Sequence, residues 1–76
     1  MKSVNIMLSA NDQVQTFVNI ANRFPFPLKL RQEQYTVDGK SIMGIFRLDR
    51  TQPITLDILS DDYPKVIDAL QPLLAV

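Results

Sequence analysis

The sequence predicts an α+β fold, with a four-stranded, mostly antiparallel sheet covered on one face by two longer helices and one short helix. Four segments alternate apolar and polar residues with a period of two, as strands do when one face is buried. Two longer segments carry apolar residues at helical spacing, and a short apolar segment lies before the last strand pattern. Because each of the longer elements has a single apolar face, a sheet with helices on one side is the expected two-layer arrangement.

Length and composition limit the functions that the chain can have. Its 76 residues are expected to form one domain over residues 1–76, near the lower size at which a hydrophobic core suffices. The sequence has no cysteine and no histidine, and eight basic residues balance eight acidic ones. Thiolate and imidazole chemistry are therefore excluded for these residues, and nucleic acid or an anionic membrane is not expected as a partner. With no membrane-length apolar run and no signal segment before the first strand, we expect a cytoplasmic protein without cofactor or metal.

The first two predicted elements are a strand and a helix. Val4, Ile6 and Leu8 alternate with polar or flexible residues, which indicates a strand. Ser9 or Asn11 is expected to cap a helix from about residue 11 to residue 23, which stops before two prolines. Its apolar stripe consists of Val14, Phe17, Val18, Ala21 and Phe24.

Three further strands follow from the same alternation. Leu28 and Leu30 are predicted to face inward on the second strand, and Tyr35 and Val37 on the third, with the connection at residues 32–34. The fourth strand has the clearest pattern, and its inward residues are Ile54, Leu56 and Ile58.

The last helix is predicted to begin after Ser60, Asp61 and Asp62, with Pro64 in its first turn, where a missing N–H is harmless. Its stripe consists of Val66, Ile67, Leu70, Leu73 and Leu74, and Pro72 should kink or end it near Gln71. The two aspartates could be read as a metal or acid/base pair. Adjacent acidic residues before a helix more often serve as caps, so we favour that interpretation.

The stretch GKSIMGIF at residues 39–46 has too many apolar residues for a helix of one to two turns to bury. We assign Ile45 and Leu48 to the core. Ile42, Met43 and Phe46 then remain for a surface that contacts a partner, as exposed methionine-bearing apolar patches often do. The alternative is that all of them pack under the sheet edge.

The segment KSIMG, followed by this short helix, resembles the regulatory-serine segment of HPr, the phosphocarrier family of the bacterial sugar phosphotransferase system. Other segments extend the resemblance over nearly the whole chain: FVNIANRF is similar to the end of the first HPr helix, YTVDGKSIMG to the third strand and its exit, and PITLDILSDD to the last strand with its acidic turn. The resemblance implies an HPr-like open-faced sandwich in which the short-helix patch contacts partner proteins.

The chain departs from the HPr family where that family carries its phosphoryl group. HPr proteins have a Gly-x-His-x-Arg-Pro segment at the start of the first helix, whereas this chain reads LSANDQV. Aligned on Phe17 and Val18, the chain has Ala10 at the histidine, Asp12 at the arginine and Gln13 at the proline. The comparison implies loss of histidine phosphotransfer, and Asp12 would repel an incoming phosphate.

Ser41 has two interpretations. It can cap the short helix, which contributes on the order of 1 kcal/mol. The resemblance also implies a phosphoacceptor, because HPr-like proteins of Gram-positive bacteria are modified at this serine by a dedicated kinase. The helix start and the neighbouring Lys40 would favour a phosphate there, and both roles can coexist.

Two hypotheses follow, and neither is an enzyme, since no nucleophile with an adjacent base is recognisable. In the first, an HPr-like regulatory protein, as in carbon catabolite regulation, binds an HPr-type serine kinase or a transcriptional regulator. In the second, an unmodified structural or interaction module either dimerises through the same patch or forms one piece of a larger assembly. The residues assigned to binding are called the Lys40–Arg47 surface here and comprise Lys40, Ser41, Ile42, Met43, Phe46 and Arg47. Arg47 and Arg50 either steer an acidic partner or are ordinary surface charges.

Overall fold

The computed structural model of the protein describes residues 1–75. In these residues, four strands, three helices and a final 3-10 turn follow one another along the chain. In order they are β1 (Lys2–Ile6), α1 (Asn11–Ala21), β2 (Leu28–Gln32), β3 (Tyr35–Asp38), α2 (Ile42–Ile45), β4 (Ile54–Ile58), α3 (Tyr63–Ala69) and the turn Gln71–Leu73. The predicted order of elements is confirmed.

The four strands form one sheet in the order β1-β4-β2-β3, and all neighbouring strands are antiparallel. Val4, Leu56, Leu30 and Val37 lie side by side across the sheet, on the face that carries the core. The register therefore aligns the apolar positions of all four strands, so that the helices can cover them together. The predicted α+β open-faced sandwich is confirmed.

The buried apolar residues form one cluster between that face of the sheet and the helices. Ile45 and Leu48 belong to the cluster, as predicted. Phe17 is the largest of its fully buried side chains, and Val66 anchors α3. No polar or charged residue among residues 1–75 is buried, so the core depends on apolar packing.

Three details of α1 and β3 differ from the sequence-based expectations. The N-cap of α1 is Ala10 rather than Ser9 or Asn11, because the side chain of Gln13 turns back and accepts the Ala10 N–H at 2.9 Å. The helix ends at Ala21, two residues early. Tyr35, which was predicted to face inward, is 55% exposed. Alternation indicates which face of a strand a residue lies on, but not how far the helices cover that face.

The C-terminal residues add a feature that the sequence pattern does not predict. The Met7 N–H donates to the Leu73 carbonyl at 2.9 Å, and the Ala75 N–H donates to the Asn5 carbonyl at 2.9 Å. Leu74 thus pairs with Ile6 in an isolated antiparallel bridge. The outer edge of β1 is partly covered in this way, which satisfies backbone groups that an edge strand would otherwise leave to solvent.

Candidate functional site

A tight turn after β3 sets the direction in which α2 begins. The Gly39 N–H donates to the Leu28 carbonyl at 2.7 Å, and a Cβ atom at Gly39 would lie 2.9 Å from that carbonyl oxygen. Asp38 completes the turn by accepting the Lys40 N–H on its carboxylate at 2.9 Å. Glycine is required here by the close approach of the backbone to β2.

Ser41 is the N-cap of α2. Its backbone is extended, and its hydroxyl oxygen accepts the Gly44 N–H at 3.3 Å. The side chain is half-buried. The cap predicted from the sequence is therefore present, on a residue that is partly exposed.

The four-residue helix α2 has a buried side and an exposed side. Ile45 is fully buried, and Ile42 packs partly against the core. Met43 is 72% exposed and Phe46 is 43% exposed, so the alternative in which all of the apolar residues pack under the sheet is wrong. Gly44 lets the helix approach β3, since a Cβ there would be 3.2 Å from the Cβ of Val37.

Two contacts connect this surface to α1 and its flanking segments. The Lys40 ammonium donates to the Phe24 carbonyl at 2.6 Å, just after α1. Beyond the other end of α2, the guanidinium carbon of Arg50 lies 4.9 Å from the centre of the Phe46 ring. Its Nη1 donates to the Leu8 carbonyl at 3.4 Å, just before α1. Neither connection was predicted.

The start of α1 is the segment that aligns by sequence with the histidine segment of HPr proteins. Ala10, at the N-cap, offers only a methyl group. Gln13 accepts the Ala10 N–H and, at 3.2 Å, the Ser9 hydroxyl. Asp12 adds a carboxylate to the first turn. The N-cap position itself therefore carries no polar side chain, and the first turn of α1 carries a negative charge.

A shallow cleft of about 510 Å³ lies at the end of the sheet, away from Ser41. Gln32 connects two segments that line the cleft. Its side-chain amide donates to the Asp49 carbonyl and accepts the Asp49 N–H, both at 2.7 Å. The carboxylate of Asp49 accepts from the backbone and hydroxyl of Thr51, and these bonds lower the pKa of Asp49. Arg47 lines this cleft as well as the Lys40–Arg47 surface. Arg47 is exposed.

The uncovered face of the sheet carries a polar network centred on Asp57. Arg31 donates two hydrogen bonds to its carboxylate, at 3.0 Å and 3.2 Å, and the Ser3 hydroxyl donates a third at 2.6 Å. The bonds from Arg31, and then the one from Ser3, lower the pKa of Asp57. The alternation of residues implied a polar face here but not these partners.

Asp61 and Asp62 are exposed, and the Asp62 N–H donates to the Ser60 hydroxyl at 3.0 Å. Asp62 occupies the N-cap position of α3, but its side chain makes no capping hydrogen bond, so the expected side-chain cap is absent there. Neither aspartate belongs to a cluster of three or more potential metal ligands, and no such cluster occurs in residues 1–75. Among the helices of those residues, none is long and apolar enough to cross a membrane.

Comparisons with known proteins agree with this geometry. The family model described as the PTS HPr component phosphorylation site matches residues 12–75. Among curated proteins, a search found no match. Of the similar solved structures, an HPr-C-His protein from Thermoanaerobacter tengcongensis has 30% sequence identity and a TM-score of 0.80, covering 97% of this chain and 91% of that chain.

Two more solved structures are similar. A phosphocarrier protein HPr from Bacillus anthracis has 27% identity and a TM-score of 0.72, over 97% of this chain and 94% of that chain. A histidine-containing phosphocarrier protein from Mycoplasma has 18% identity and a TM-score of 0.71, over 93% of this chain and 86% of that chain. The last similarity supports the fold alone.

Proposed function

Because the chain belongs to the HPr family, we propose that it is a regulatory protein that binds other proteins through the Lys40–Arg47 surface and carries no phosphoryl group on histidine. The observation that carries the proposal is the exposure of Met43 on α2 and of Phe46 just after it, in a sequence that contains no histidine. We further propose that it is not an enzyme, that it acts in the cytoplasm, and that its partners are proteins rather than nucleic acids or membranes.

The start of α1 supports the absence of phosphoryl relay. Ala10 has no group that can accept a phosphoryl group, and Asp12 repels an anion at the helix start. The Ala10 N–H already donates a hydrogen bond to the side chain of Gln13, so this donor is not available to a phosphate oxygen. All three features oppose phosphate binding at this end of the helix.

The exposed side of α2 supports protein binding. Met43 and Phe46 keep 72% and 43% of their surface exposed, although apolar burial stabilises a small domain. Ile45 holds the helix against the core from its other side, and Ile42, although assigned to the surface, packs partly against the core as well. The exposed side chains are thus presented on an anchored element, as binding surfaces require.

We propose Ser41 as the residue through which binding is regulated. A phosphate on its hydroxyl would add about two negative charges at the rim of the surface, beside Lys40 and two residues before Met43 in sequence. An HPr-type serine kinase would add the phosphate, and a transcriptional regulator is the kind of partner that would bind the phosphorylated form.

A second candidate, an unmodified interaction module that forms a homodimer through the same surface, is favoured by one observation. Ser41 already has a structural role, because its hydroxyl accepts the Gly44 N–H. In this alternative, Ser41→Asp leaves binding unchanged, because aspartate also caps helices, and sedimentation analysis shows a dimer that Met43→Asp dissociates.

The experiment is a titration of the isotope-labelled protein with an HPr-type serine kinase in the absence of ATP, followed by NMR. We expect the largest changes in amide signals around α2 and a loss of binding in Met43→Asp. Leu59→Asp is the matched control, because Leu59 is 39% exposed between β4 and α3. Binding that responds equally to both variants, or changes centred on the open face of the sheet, would contradict the proposal.

A further inference from the structure

The guanidinium group of Arg50 lies over the ring of Phe46, a residue of the Lys40–Arg47 surface. Its guanidinium carbon lies 4.9 Å from the ring centre, a distance at which a cation is attracted to an aromatic face. The Nη1 group also donates to the Leu8 carbonyl at 3.4 Å, so the ring is tied to the segment before α1. Arg50 therefore contacts both an exposed aromatic side chain and the backbone before α1.

The positive charges of Lys40, Arg47 and Arg50 form no ion pair with a carboxylate among residues 1–75. The ion pair within those residues joins Arg31 to Asp57 on the uncovered face of the sheet. Asp49, which lies between Arg47 and Arg50 in sequence, turns its carboxylate to the backbone and hydroxyl of Thr51. The result is an exposed apolar patch beside positive charge that the described part of the chain does not neutralise.

We propose that Arg50 determines the specificity of the Lys40–Arg47 surface by selecting protein partners that place a carboxylate beside an apolar side chain. This inference rests on the proposed function, because it states which partners the surface accepts. The guanidinium has five N–H donors, of which the Leu8 carbonyl occupies one. The others can receive a carboxylate while the partner's apolar side chain packs on Phe46 and Met43.

A selection from a phage-displayed library of random peptides against the wild-type protein tests the inference. Selected peptides are then measured against Met43→Asp, which locates the binding, and against Arg50→Gln and Arg50→Lys. Arg23→Gln is the matched control, because Arg23 is exposed after α1 and its loss changes the net charge equally. Thermal unfolding of each variant verifies that it is folded.

We expect the selected peptides to combine Asp or Glu with an apolar residue, and Arg50→Gln to weaken them by about tenfold. Arg50→Lys should lose less, since it keeps the charge but not the planar group, and Arg23→Gln should bind like the wild type. If Met43→Asp weakens peptide binding but Arg50→Gln does not, the inference about Arg50 is wrong while the proposed function stands. The same conclusion follows if the selected peptides lack acidic residues. The absence of binders, or binders indifferent to Met43→Asp, contradicts both this inference and the proposed function.

Discussion

The ammonium group of Lys40 donates a hydrogen bond to the backbone carbonyl of Phe24 at 2.6 Å. This bond joins the residue before Ser41 to the segment that follows α1. The sequence suggested that Lys40 would be available to a phosphate on Ser41, whereas the structure shows that one of its three donors is already used. Lys40 therefore has a structural role in addition to any role in binding.

The first prediction concerns this bond. Lys40→Met should lower the free energy of unfolding by about 1 kcal/mol, the usual contribution of one hydrogen bond, as measured by urea unfolding. Lys65→Met is the control, because Lys65 is an exposed lysine of α3. If the two variants unfold at the same urea concentration, the bond to Phe24 makes no net contribution.

The second prediction separates the cap at Ser41 from its proposed regulation. Ser41→Ala should destabilise the protein by about 1 kcal/mol, whereas Ser41→Asp should retain most of the stability, because aspartate also caps helices. Ser60→Ala removes the comparable bond to the Asp62 N–H and leaves α2 untouched, so it should change stability without changing partner binding. An unchanged stability in Ser41→Ala would show that the Ser41 side chain makes no net contribution as a cap.

The third prediction compares the two glycines of the surface. Gly39→Ala places a Cβ 2.9 Å from the Leu28 carbonyl oxygen, closer than atoms tolerate, whereas Gly44→Ala places one 3.2 Å from the Val37 Cβ. Gly39→Ala should therefore destabilise by about 2 kcal/mol. Gly44→Ala should cost less, since alanine favours the helix by about 1 kcal/mol. Thermal unfolding of both variants makes the comparison, and a larger loss in Gly44→Ala would be inconsistent with this geometry.

The fourth prediction concerns the dependence of stability on pH. The bonds from Arg31 and Ser3 lower the pKa of Asp57 in the folded protein, so its carboxylate stabilises the fold above the unfolded pKa of about 3.9. This contribution is lost as the pH falls through the folded pKa. Asp57→Asn should therefore destabilise the protein at pH 7, by about 1 kcal/mol for an ion pair open to solvent.

Urea unfolding of the wild type and of Asp57→Asn at neutral pH and near pH 3 measures this difference. The gap between the two proteins should shrink on acidification, because the wild-type carboxylate is then progressively protonated. A gap of the same size at both pH values would mean that the Asp57 carboxylate contributes packing rather than charge.

Local patterns were sufficient to predict most of the fold. Ile54, Leu56 and Ile58 were recognised as strand residues because alternation depends only on which face is buried. Ile45 and Leu48 were assigned to the core, and both are buried. The end of α3 before Pro72 also follows from local chemistry, because proline lacks an N–H.

The long-range contacts of the site could not be predicted in this way. The Lys40 bond spans 16 residues, and the bond from Arg50 to Leu8 spans 42 residues. Such contacts depend on how the elements pack, which no local pattern encodes. The Ala10 cap was missed for a related reason, because Gln13 replaces the side chain that an N-cap residue normally supplies.

The most direct measurement is intact-mass spectrometry after incubation with ATP and an HPr-type serine kinase, with peptide mapping and with Ser41→Ala as the control. A known HPr substrate in a parallel reaction establishes that the kinase is active. We predict the mass of one added phosphate on the wild type, located at Ser41, and none on the variant. An unmodified wild-type protein, or a phosphate that persists in Ser41→Ala, would contradict the regulation of the Lys40–Arg47 surface through Ser41.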